Sequence, residues 1–491
     1  MKPRSLVLVT VDCLRADHVG FLGYSRPVTP FLDSLAAESF VVPNAIVGGV
    51  PTYYSFPAIL ASRYPLAMGR DLVGLVPDEV SLPSYLKQSG YMTASFVAAN
   101  PYVSRKFGYG QAFDTFCDFL DQEMAAEATF YSKQSRTFRA VLNRSIERLS
   151  RNLGPVGTLY DELYFRYCQL AGPSVQSLDS LRPFPSADAI VDRALEWVGS
   201  VCPSPFFLWL HLMDPHAPYY PAEEALRAIG ATAVSPSRAR YLNSYWNRRD
   251  LGSNRLRSLR DAVIELYDGS IRWVDMQMAR LVDTLKGLQV WDQSALVFTA
   301  DHGEEFLEHG ARFHGPWTMK EELIRVPLLV RVPGVFGREV SKKPFSHLDL
   351  APTLLHALDL AVPREFQGRS DWGEWNRREG WERPAVVEST ECINPDQPED
   401  RLASRVLCIR DSRYKLILRF GCGQEQLFDL HSDPSEMDPL PADIEKPVRR
   451  RLLEYARRHI EGAQRIDSRK HRLRARSREL RIVLSKSAPA D

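Results

Sequence analysis

The segment SLVLVTVD (residues 5–12) sets the expected fold, because it is an apolar, β-branched run that ends in an aspartate. A continuous apolar run of this length is typical of a parallel strand buried on both faces. PFFLWLHLMD (205–214) and SALVFTAD (294–301) have the same form and also end in an aspartate. Two further apolar runs, PLLVRVP (327–333) and RPAVVEST (383–390), continue the series.

Helical segments alternate with these strands. TPFLDSLAAESF (29–40) is predicted to be a helix with Thr29 as its N-cap. The stretch from 81 to 100 reads as a helix, a stop at Gly90 and a strand. This alternation predicts an α/β fold with a doubly wound, mostly parallel sheet, in which ligands gather at the carboxyl ends of the strands.

Changes in residue composition and in the apolar pattern divide the chain into regions. Residues 1–370 form the predicted large α/β domain, and 120–195 interrupt it with charged, helix-prone sequence. This insertion either covers part of the site or only packs against the domain. Residues 371–462 are expected to form a small α+β subdomain, because 404–420 alternate like antiparallel strands. Residues 463–491 make a strongly basic tail.

Composition excludes several classes of protein. The 491 residues carry a formal net charge of +1, which gives no general attraction to nucleic acid. No run approaches the roughly 18–20 apolar residues of a membrane span, and the start is interpreted as a buried strand rather than a signal peptide. Seven scattered cysteines without a C-x-x-C pair favour a reducing, cytoplasmic location. The basic tail is either a solvated helix or a peripheral contact with an acidic or membrane surface.

Residues that ligate metals follow two of the predicted strands. Asp301 and His302 end one strand and precede Gly303, so both side chains can face one cation. Asp12 ends another strand of the same sheet. Carboxylate oxygen and imidazole nitrogen together suit Zn²⁺ or Mn²⁺, with Mg²⁺ or Ca²⁺ less favoured. We therefore predict one divalent metal ion.

A threonine precedes a helix in PTYYSFPAILASRYP (51–65). Thr52 alone reads equally well as a helix N-cap. Together with Asp12, Asp301 and His302, however, it completes a four-ligand site in which a metal lowers the pKa of the hydroxyl and the helix N-terminus attracts an anion. These are the requirements of a nucleophile that attacks a phosphate or sulfate ester.

The chain as a whole resembles the sulfatase family within the alkaline phosphatase superfamily. The resemblance is carried by five stretches: VTVDCLRADHVGFLGY (9–24), residues 51–65, HLMDPHAPYYP (211–221), FTADHGEEFLEHGARFHGPWTMKEELIRVPLLVRVPG (298–334), and the C-terminal pair DSRYKLILRF and QLFDLHSDPSE (411–436). The combined match implies a metal-dependent ester hydrolase.

The resemblance also implies a role for individual residues. Asp12, Asp301, His302 and Thr52 would bind the metal, and Thr52 would be the nucleophile. His216 and His314 would act on the substrate as catalytic residues, while Asn100 and His211 would bind it. Asp214 is a candidate accessory residue, and His309 is interpreted as structural.

One departure from the family pattern bears on the chemistry. Sulfatases proper carry a C/S-x-P-S-R signature whose first residue is oxidised to formylglycine, whereas this chain has Thr52 followed by Tyr53-Tyr54-Ser55-Phe56. A formylglycine hydrate can expel sulfate by reforming its aldehyde, but a threonine ester cannot. The threonine intermediate must therefore be attacked directly at its central sulfur or phosphorus atom. Phosphoryl groups undergo that attack readily. We therefore predict hydrolysis of phosphoric mono- or diesters.

Three alternatives remain open at this stage: a sulfuric ester hydrolase, a transferase that passes the phospho group to an alcohol, and an inactive binder of anionic ligands. The expected partner is a small-molecule, glycan or lipid-head-group anionic ester. Tyr53, Tyr54, Tyr219 and Tyr220 either stack on its organic group or belong to the core. Cys13, where many family members have a second aspartate, favours Zn²⁺ or Mn²⁺ over Ca²⁺.

Overall fold

An eight-stranded sheet forms the centre of the fold, in the order β12-β2-β11-β7-β1-β6-β4-β5. The computed structural model describes residues 4–67, 73–120, 177–231, 234–335, 337–340, 342–377, 383–390 and 404–462, and parts of 162–170. The strands of the main sheet are β1 (Ser5–Val11), β2 (Ser39–Val41), β4 (Met92–Val97), β5 (Thr115–Cys117), β6 (Phe206–Leu212), β7 (Ser294–Ala300), β11 (Leu328–Arg331) and β12 (Arg338–Glu339). The five strands from β7 to β5 are mutually parallel.

Strand β1 lies between β7 and β6 in this parallel set. All seven of its residues are buried, as the apolar run predicts. Each fully buried valine or leucine contributes roughly 1.5–3 kcal/mol relative to an exposed side chain. The register aligns Val11 with Leu212 of β6 and with Ala300 of β7. The three strands therefore end at the same edge, and the polar residues that follow them meet there.

The remaining strands form three smaller sheets. β3 (Ala45–Ile46), β10 (Arg325–Val326) and β13 (Phe345–Ser346) make one, and β8 (Glu305–Phe306) pairs with β9 (Arg312–Phe313) as a hairpin. β14 (Ala385–Thr390), β15 (Arg405–Arg410), β16 (Tyr414–Arg419) and β17 (Gln424–Asp429) make the antiparallel sheet of the C-terminal subdomain.

Two strand predictions need correction. PLLVRVP was expected to continue the parallel series, but β11 runs antiparallel to both β7 and β2. RPAVVEST was expected in the same series, but β14 lies in the C-terminal sheet. Both runs are buried, and a buried apolar run has the same composition in a parallel and an antiparallel strand. Direction and sheet membership depend on the connections, which the apolar pattern does not encode.

The α-helices pack around the main sheet. Those whose bounds the structure gives are α1 (Pro30–Ala36), α2 (Thr52–Ala61), α3 (Leu82–Gln88), α4 (Ala187–Val201), α5 (Glu223–Ala228), α6 (Pro236–Trp246), α7 (Ser253–Gly287), α8 (Glu321–Ile324), α9 (Leu350–Ala357), α10 (Trp372–Arg377) and α11 (446–462). No helix among the described residues is both long and apolar enough to cross a bilayer.

Helix α1 begins where the sequence predicts, but its cap differs. Thr29 is the N-cap residue, yet its side chain makes no capping hydrogen bond. Its Oγ1 accepts from the backbone N–H of Gly20 and donates to Asp33. The carboxylate of Asp275 in α7 instead accepts from the N–H groups of Phe31 and Leu32. The prediction of Thr29 as the N-cap residue is confirmed, but the capping group comes from a distant helix and leaves no local sequence signal.

Most of the predicted helical insertion at 120–195 lies outside the described residues, as does the basic tail. Helix α4 begins at Ala187, inside the predicted range, and packs against β4 and β6. The hairpin between β15 and β16 turns at residues 411–413, which include Asp411 and Ser412.

The buried carboxylate of Glu388 links the C-terminal subdomain to the large domain. Glu388 of β14 is fully buried, and its carboxylate accepts from His459 of α11 (2.8 Å) and from the backbone N–H of Leu66 (2.9 Å). Burial alone would raise the pKa of Glu388, but the hydrogen bond and charge of His459 lower it to about 2. This carboxylate therefore stabilises the fold above its unfolded pKa near 4.5, and the contribution is lost as the pH falls toward 2.

We expect Glu388→Gln to lower the free energy of unfolding at pH 7 by about 3 kcal/mol, because it breaks a buried charge pair. The difference from the wild type should narrow below pH 4.5. Urea titrations at several pH values measure both effects. The matched control is Glu454→Gln, whose exposed carboxylate pairs with Arg457 on the surface of α11 and should have little influence. A constant difference from pH 7 to pH 3 would contradict this account.

Candidate active site

Asp12, Asp301 and His302 meet at the carboxyl edge of the main sheet. Asp12 follows β1 and Asp301 follows β7, directly after the paired residues Val11 and Ala300. All three side chains are fully buried. The strand register thus places two carboxylates and an imidazole together, as the sequence predicts for a metal site.

Thr52 is the first residue of α2, and Pro51, not Thr52, is the N-cap. The Thr52 hydroxyl points at the strand ends, with Oγ1 lying 3.0 Å from His302 Nε2 and 3.5 Å from Asp12 Oδ2. Ser55, one turn along α2, donates to the backbone carbonyl of Asp301 (2.7 Å) and fixes the helix to the end of β7. These contacts disfavour the interpretation of Thr52 as a helix cap.

The donor atoms of this cluster are spaced as ligands of one cation would be. His302 Nε2 lies 3.5 Å from Asp301 Oδ2 and 3.8 Å from Asp12 Oδ1. Two ligands that are each about 2.1 Å from one ion are separated by roughly 3.0–3.5 Å at tetrahedral to octahedral angles. His302 Nδ1 donates to Gly303 O (2.9 Å), so Nε2 presents its lone pair to the cluster. Asp301 Oδ2 is buried and has no hydrogen-bond partner. The residues therefore fit a divalent metal.

The two carboxylates, Asp12 and Asp301, are like charges that repel each other. Burial would raise the pKa of Asp12, but the neighbouring histidines His216, His211 and His302 hold it well below its usual value. Burial raises the pKa of Asp301, and the negative charge of Asp12 raises it further. A cation between them would remove this repulsion.

His216 and His314 form the more exposed side of the site. Their rings lie 5.2 Å apart, and the ring of His314 lies 4.8 Å from that of His302. His216 Nδ1 is 2.5 Å from the carbonyl oxygen of Ala217, so Nδ1 carries the hydrogen and Nε2 is left with its lone pair. Burial lowers the pKa of His216, which keeps the ring neutral.

Glu304 is a site residue that the sequence analysis missed. Its carboxylate is fully buried and lies 3.1 Å from His314 Nδ1, while the Tyr219 hydroxyl donates to it (3.0 Å). Burial opposes protonation of His314, but the negative charge and hydrogen bond of Glu304 raise the pKa of His314 to about 9. The hairpin of β8 and β9 explains the contact, because Glu304 precedes its first strand and His314 follows its second. In the sequence, Glu304 reads as one of several acidic residues in a polar loop.

The other candidate residues surround this cluster at different depths. Asn100 is buried, and its Nδ2 donates to Asp12 Oδ2 (3.0 Å). His211 is also buried, with Nε2 at 3.5 Å from the same oxygen. Asp214 instead accepts from the backbone N–H of Ala187 and lies 3.8 Å from Arg182. His309 lies 3.5 Å from Glu322.

Left-handed backbone occurs beside three of the site residues. Cys13 (φ 61°), Ala99 (φ 52°) and Phe313 (φ 68°) adopt positive φ although none is glycine. They adjoin Asp12, Asn100 and His314, respectively. Such residues cost about 1–3 kcal/mol each and persist where the surrounding structure fixes them. Cys13 also contacts the cluster, since its thiol donates to Asp12 Oδ1 (3.0 Å) and lies 3.4 Å from His314 Nδ1.

The four tyrosines left open by the sequence belong to the core. Tyr53, Tyr54, Tyr219 and Tyr220 are 8% exposed or less. Tyr53 and Tyr54 pack edge to face at 4.5 Å, and Tyr219 packs edge to face on Tyr267. Of the two alternatives that the sequence left open, the core role therefore applies to these four tyrosines.

A metal-ligand cluster at the carboxyl ends of a mostly parallel sheet, with a hydroxyl at a helix N-terminus, defines a metal-dependent ester hydrolase. A family profile described as Sulfatase matches residues 4–360, and one described as N-sulphoglucosamine sulphohydrolase, C-terminal, matches 308–458. The chain belongs to the sulfatase family, within the alkaline phosphatase superfamily. Enzymes of this family are metal-dependent, and the present chain brings together the residues to bind a divalent ion.

Similar proteins span nearly the whole chain. The multifunctional alkaline phosphatase superfamily protein PehA of Trinickia caryophylli is 24% identical over 90% of this chain and 92% of its own length. An arylsulfatase of Clostridium perfringens is 23% identical over 90% of each chain. The crystal structure of a phosphonate monoester hydrolase of Agrobacterium radiobacter has the same fold, with a TM-score of 0.66 and 20% identity over 95% of this chain and 96% of that one. This likeness confirms the predicted fold class.

Proposed function

We propose that the protein hydrolyses phosphoric mono- or diesters by way of a covalent intermediate on Thr52. The observation that carries this proposal is the position of the Thr52 hydroxyl, 3.0 Å from His302 Nε2 and 3.5 Å from Asp12 Oδ2 at the first turn of a buried helix. At this position the hydroxyl can be activated by the metal site, and the positive end of the helix dipole attracts an anionic ester.

Asp12, Asp301, His302 and Thr52 would hold one divalent ion. When bound, such an ion lowers the pKa of a hydroxyl and neutralises the charge of the phosphoryl group. The mixed oxygen and nitrogen donors favour Zn²⁺ or Mn²⁺.

The first step transfers the phosphoryl group to the protein. Thr52 Oγ1, whose proton has been released to solvent, attacks phosphorus, a new P–O bond forms to Thr52, and the bond from phosphorus to the alcohol oxygen breaks. His314 is held in its protonated form by Glu304, so it is the group that donates a proton to the departing oxygen.

The second step releases phosphate. Water attacks the phosphothreonine, the P–Oγ1 bond breaks, and Thr52 Oγ1 leaves in the deprotonated form that attacks the next substrate, while His314 regains a proton from solvent. His216 is the neutral histidine of the pair and presents Nε2, so it accepts the proton of the water. Two histidines whose environments move their pKa values in opposite directions divide acid and base roles in this way.

The threonine favours phosphate over sulfate esters. Direct attack on the central atom of the intermediate is the route open to a threonine ester, and phosphoryl groups follow that route readily. Phe56 stands in place of the arginine of the formylglycine signature and packs edge to face against His211. Relatives named for phosphonate ester hydrolysis accord with this choice, whereas those named as sulfatases favour the second candidate, a sulfuric ester hydrolase.

A substrate comparison tests the proposal. Purified protein loaded with Zn²⁺ or Mn²⁺ is assayed with 4-nitrophenyl esters of phosphate, phenyl phosphate, phenylphosphonate and sulfate. We expect the highest kcat/KM for a phosphorus ester and a mass increase of one phosphoryl group on the peptide that carries Thr52 after acid quenching. A preference for the sulfate ester would overturn the phosphoester assignment. Product analysis with added glycerol separates hydrolysis from transfer to an alcohol.

We expect Glu304→Gln to change the pH profile of this reaction. Because Glu304 raises the pKa of His314, the wild type keeps its acid up to about pH 9. The variant should lose kcat/KM at a lower pH, so that the alkaline limb moves toward neutrality.

The matched control for this prediction is Glu305→Gln, because Glu305 is also buried but bonds to Thr318 rather than to a histidine. It should leave the alkaline limb in place. An identical limb in wild type and Glu304→Gln would rule out His314 as the acid.

A further inference from the structure

His211 lies at the carboxyl end of β6, beside β1, the strand that precedes Asp12. The register pairs it with Thr10 of β1 and with Val97 of β4. Its side chain is fully buried and lies 3.5 Å from the Asp12 carboxylate.

The hydrogen bonds around His211 fix which ring nitrogen carries the hydrogen. Thr10 Oγ1 donates its one hydrogen to the carbonyl oxygen of Leu210 (3.1 Å). Thr10 Oγ1 also accepts from Trp209 Nε1 (3.0 Å) and lies 3.1 Å from His211 Nδ1. Since the Thr10 hydrogen is already used, His211 Nδ1 must be the donor in this contact. Nε2 of the neutral ring therefore presents a lone pair.

That lone pair faces other acceptors. His211 Nε2 is buried without a hydrogen-bond partner and lies 3.5 Å from Asp12 Oδ2. Asp301 Oδ2, also buried, has no hydrogen-bond partner either. Donor atoms of Asp12, His211 and Asp301 lie within 4.8 Å of one another. Three ligand groups this close together, two of which carry a buried atom without a hydrogen-bond partner, are the surroundings of a cation.

We propose that His211 Nε2 is an additional ligand of the divalent metal ion. The inference rests on the metal site of the proposed function and goes beyond the four ligands predicted from the sequence. The ring has the support that metal-binding histidines require, because Thr10 and Trp209 hold its other nitrogen in place. A second imidazole would also favour Zn²⁺ or Mn²⁺ over Ca²⁺, which prefers an all-oxygen shell.

The first test replaces the ligand. His211→Gln and wild-type protein, both stripped with chelator, are titrated with Zn²⁺ against a competing chelator and with Co²⁺ while the visible absorption is recorded. We expect the zinc affinity of His211→Gln to fall by about 10–100-fold or more, and its cobalt spectrum to differ from that of the wild type. Unchanged affinity together with an unchanged spectrum overturns the inference.

A matched control is available at His347. It is fully buried, lies 3.1 Å from a strand threonine (Thr299) and also has a ring nitrogen without a hydrogen-bond partner, but it is outside the donor groups of the metal site. His347→Gln should keep the zinc affinity and cobalt spectrum of the wild type. Equal losses in both variants would attribute the effect to a buried histidine in general and overturn the inference.

A second test needs no substitution. X-ray absorption of the zinc-loaded wild-type protein counts imidazole ligands, and we expect two, from His302 and His211. One imidazole would overturn the role of His211 while leaving the proposed function intact. A wild-type protein that binds neither Zn²⁺, Mn²⁺ nor Co²⁺ would instead contradict the proposed function and, with it, this inference.

Discussion

Thr52→Ala is expected to reduce kcat for phosphoester hydrolysis by about 10⁴–10⁶-fold, the range found when a covalent nucleophile is removed. The loss follows from the geometry, because no other described hydroxyl occupies the position between Asp12 and His302. Metal content and melting temperature should remain close to those of the wild type, since three ligands and the helix itself are unchanged. Steady-state kinetics, metal analysis and thermal unfolding of the purified variant measure these effects.

Thr52→Ser is the matched variant, because it keeps the hydroxyl and removes only a methyl group. It should retain measurable turnover and form the corresponding phosphoserine intermediate. If Thr52 served only the helix N-terminus, Thr52→Ala would cost about 1 kcal/mol of stability and leave turnover in place. Retained activity in Thr52→Ala would therefore refute the assignment of the nucleophile.

Asp301→Asn is expected to lower activity on the order of 10³-fold, since the metal contributes several kcal/mol of transition-state stabilisation. In the metal-free protein, by contrast, the same substitution should stabilise the fold. Burial and the charge of Asp12 raise the pKa of Asp301, so the ionised carboxylate is unfavourable in the fold. A neutral amide of the same size relieves this repulsion. The metal-free variant should melt at or above the temperature of the metal-free wild type.

Thermal unfolding with EDTA and with added Zn²⁺ separates the two effects. The wild type should gain stability on addition of Zn²⁺, because the ion binds the folded protein, and the variant should gain little. Asp275→Asn is the matched control, since Asp275 is buried in α7 but caps α1 and lies outside the metal site. Its response to Zn²⁺ should equal that of the wild type. A full zinc response in Asp301→Asn would contradict the ligand assignment.

The strands that position the metal site could be predicted from the sequence. Asp12 and Asp301 each end a long apolar run, and parallel strands in register bring such ends to one edge. Thr52, His302, His216 and His314 were found through motifs whose spacing is local. Thr29 is the N-cap residue as predicted, but the group that caps α1 and the direction of β11 depend on tertiary partners, Asp275 for the cap and β7 and β2 for the strand.

Glu304 and the orientation of His211 required the structure. The pairing of β8 with β9 makes Glu304 and His314 neighbours across a hairpin, and nothing in the loop sequence distinguishes Glu304 from the acidic residues around it. The available nitrogen of His211 depends on a hydrogen that Thr10 gives to the carbonyl of Leu210. Such facts concern single hydrogen bonds between strands, which composition and periodicity do not record.

The sequence by itself determined the fold class, the family and the residues that can bind a metal, because these follow from local apolar runs and short motifs. Only the tertiary structure decided how the pKa values of His216 and His314 differ, since burial lowers that of His216 and the contact with Glu304 raises that of His314. The sequence determines which chemical groups are present. The charge of each group and the direction of its lone pairs depend on neighbours that come close only in the folded protein.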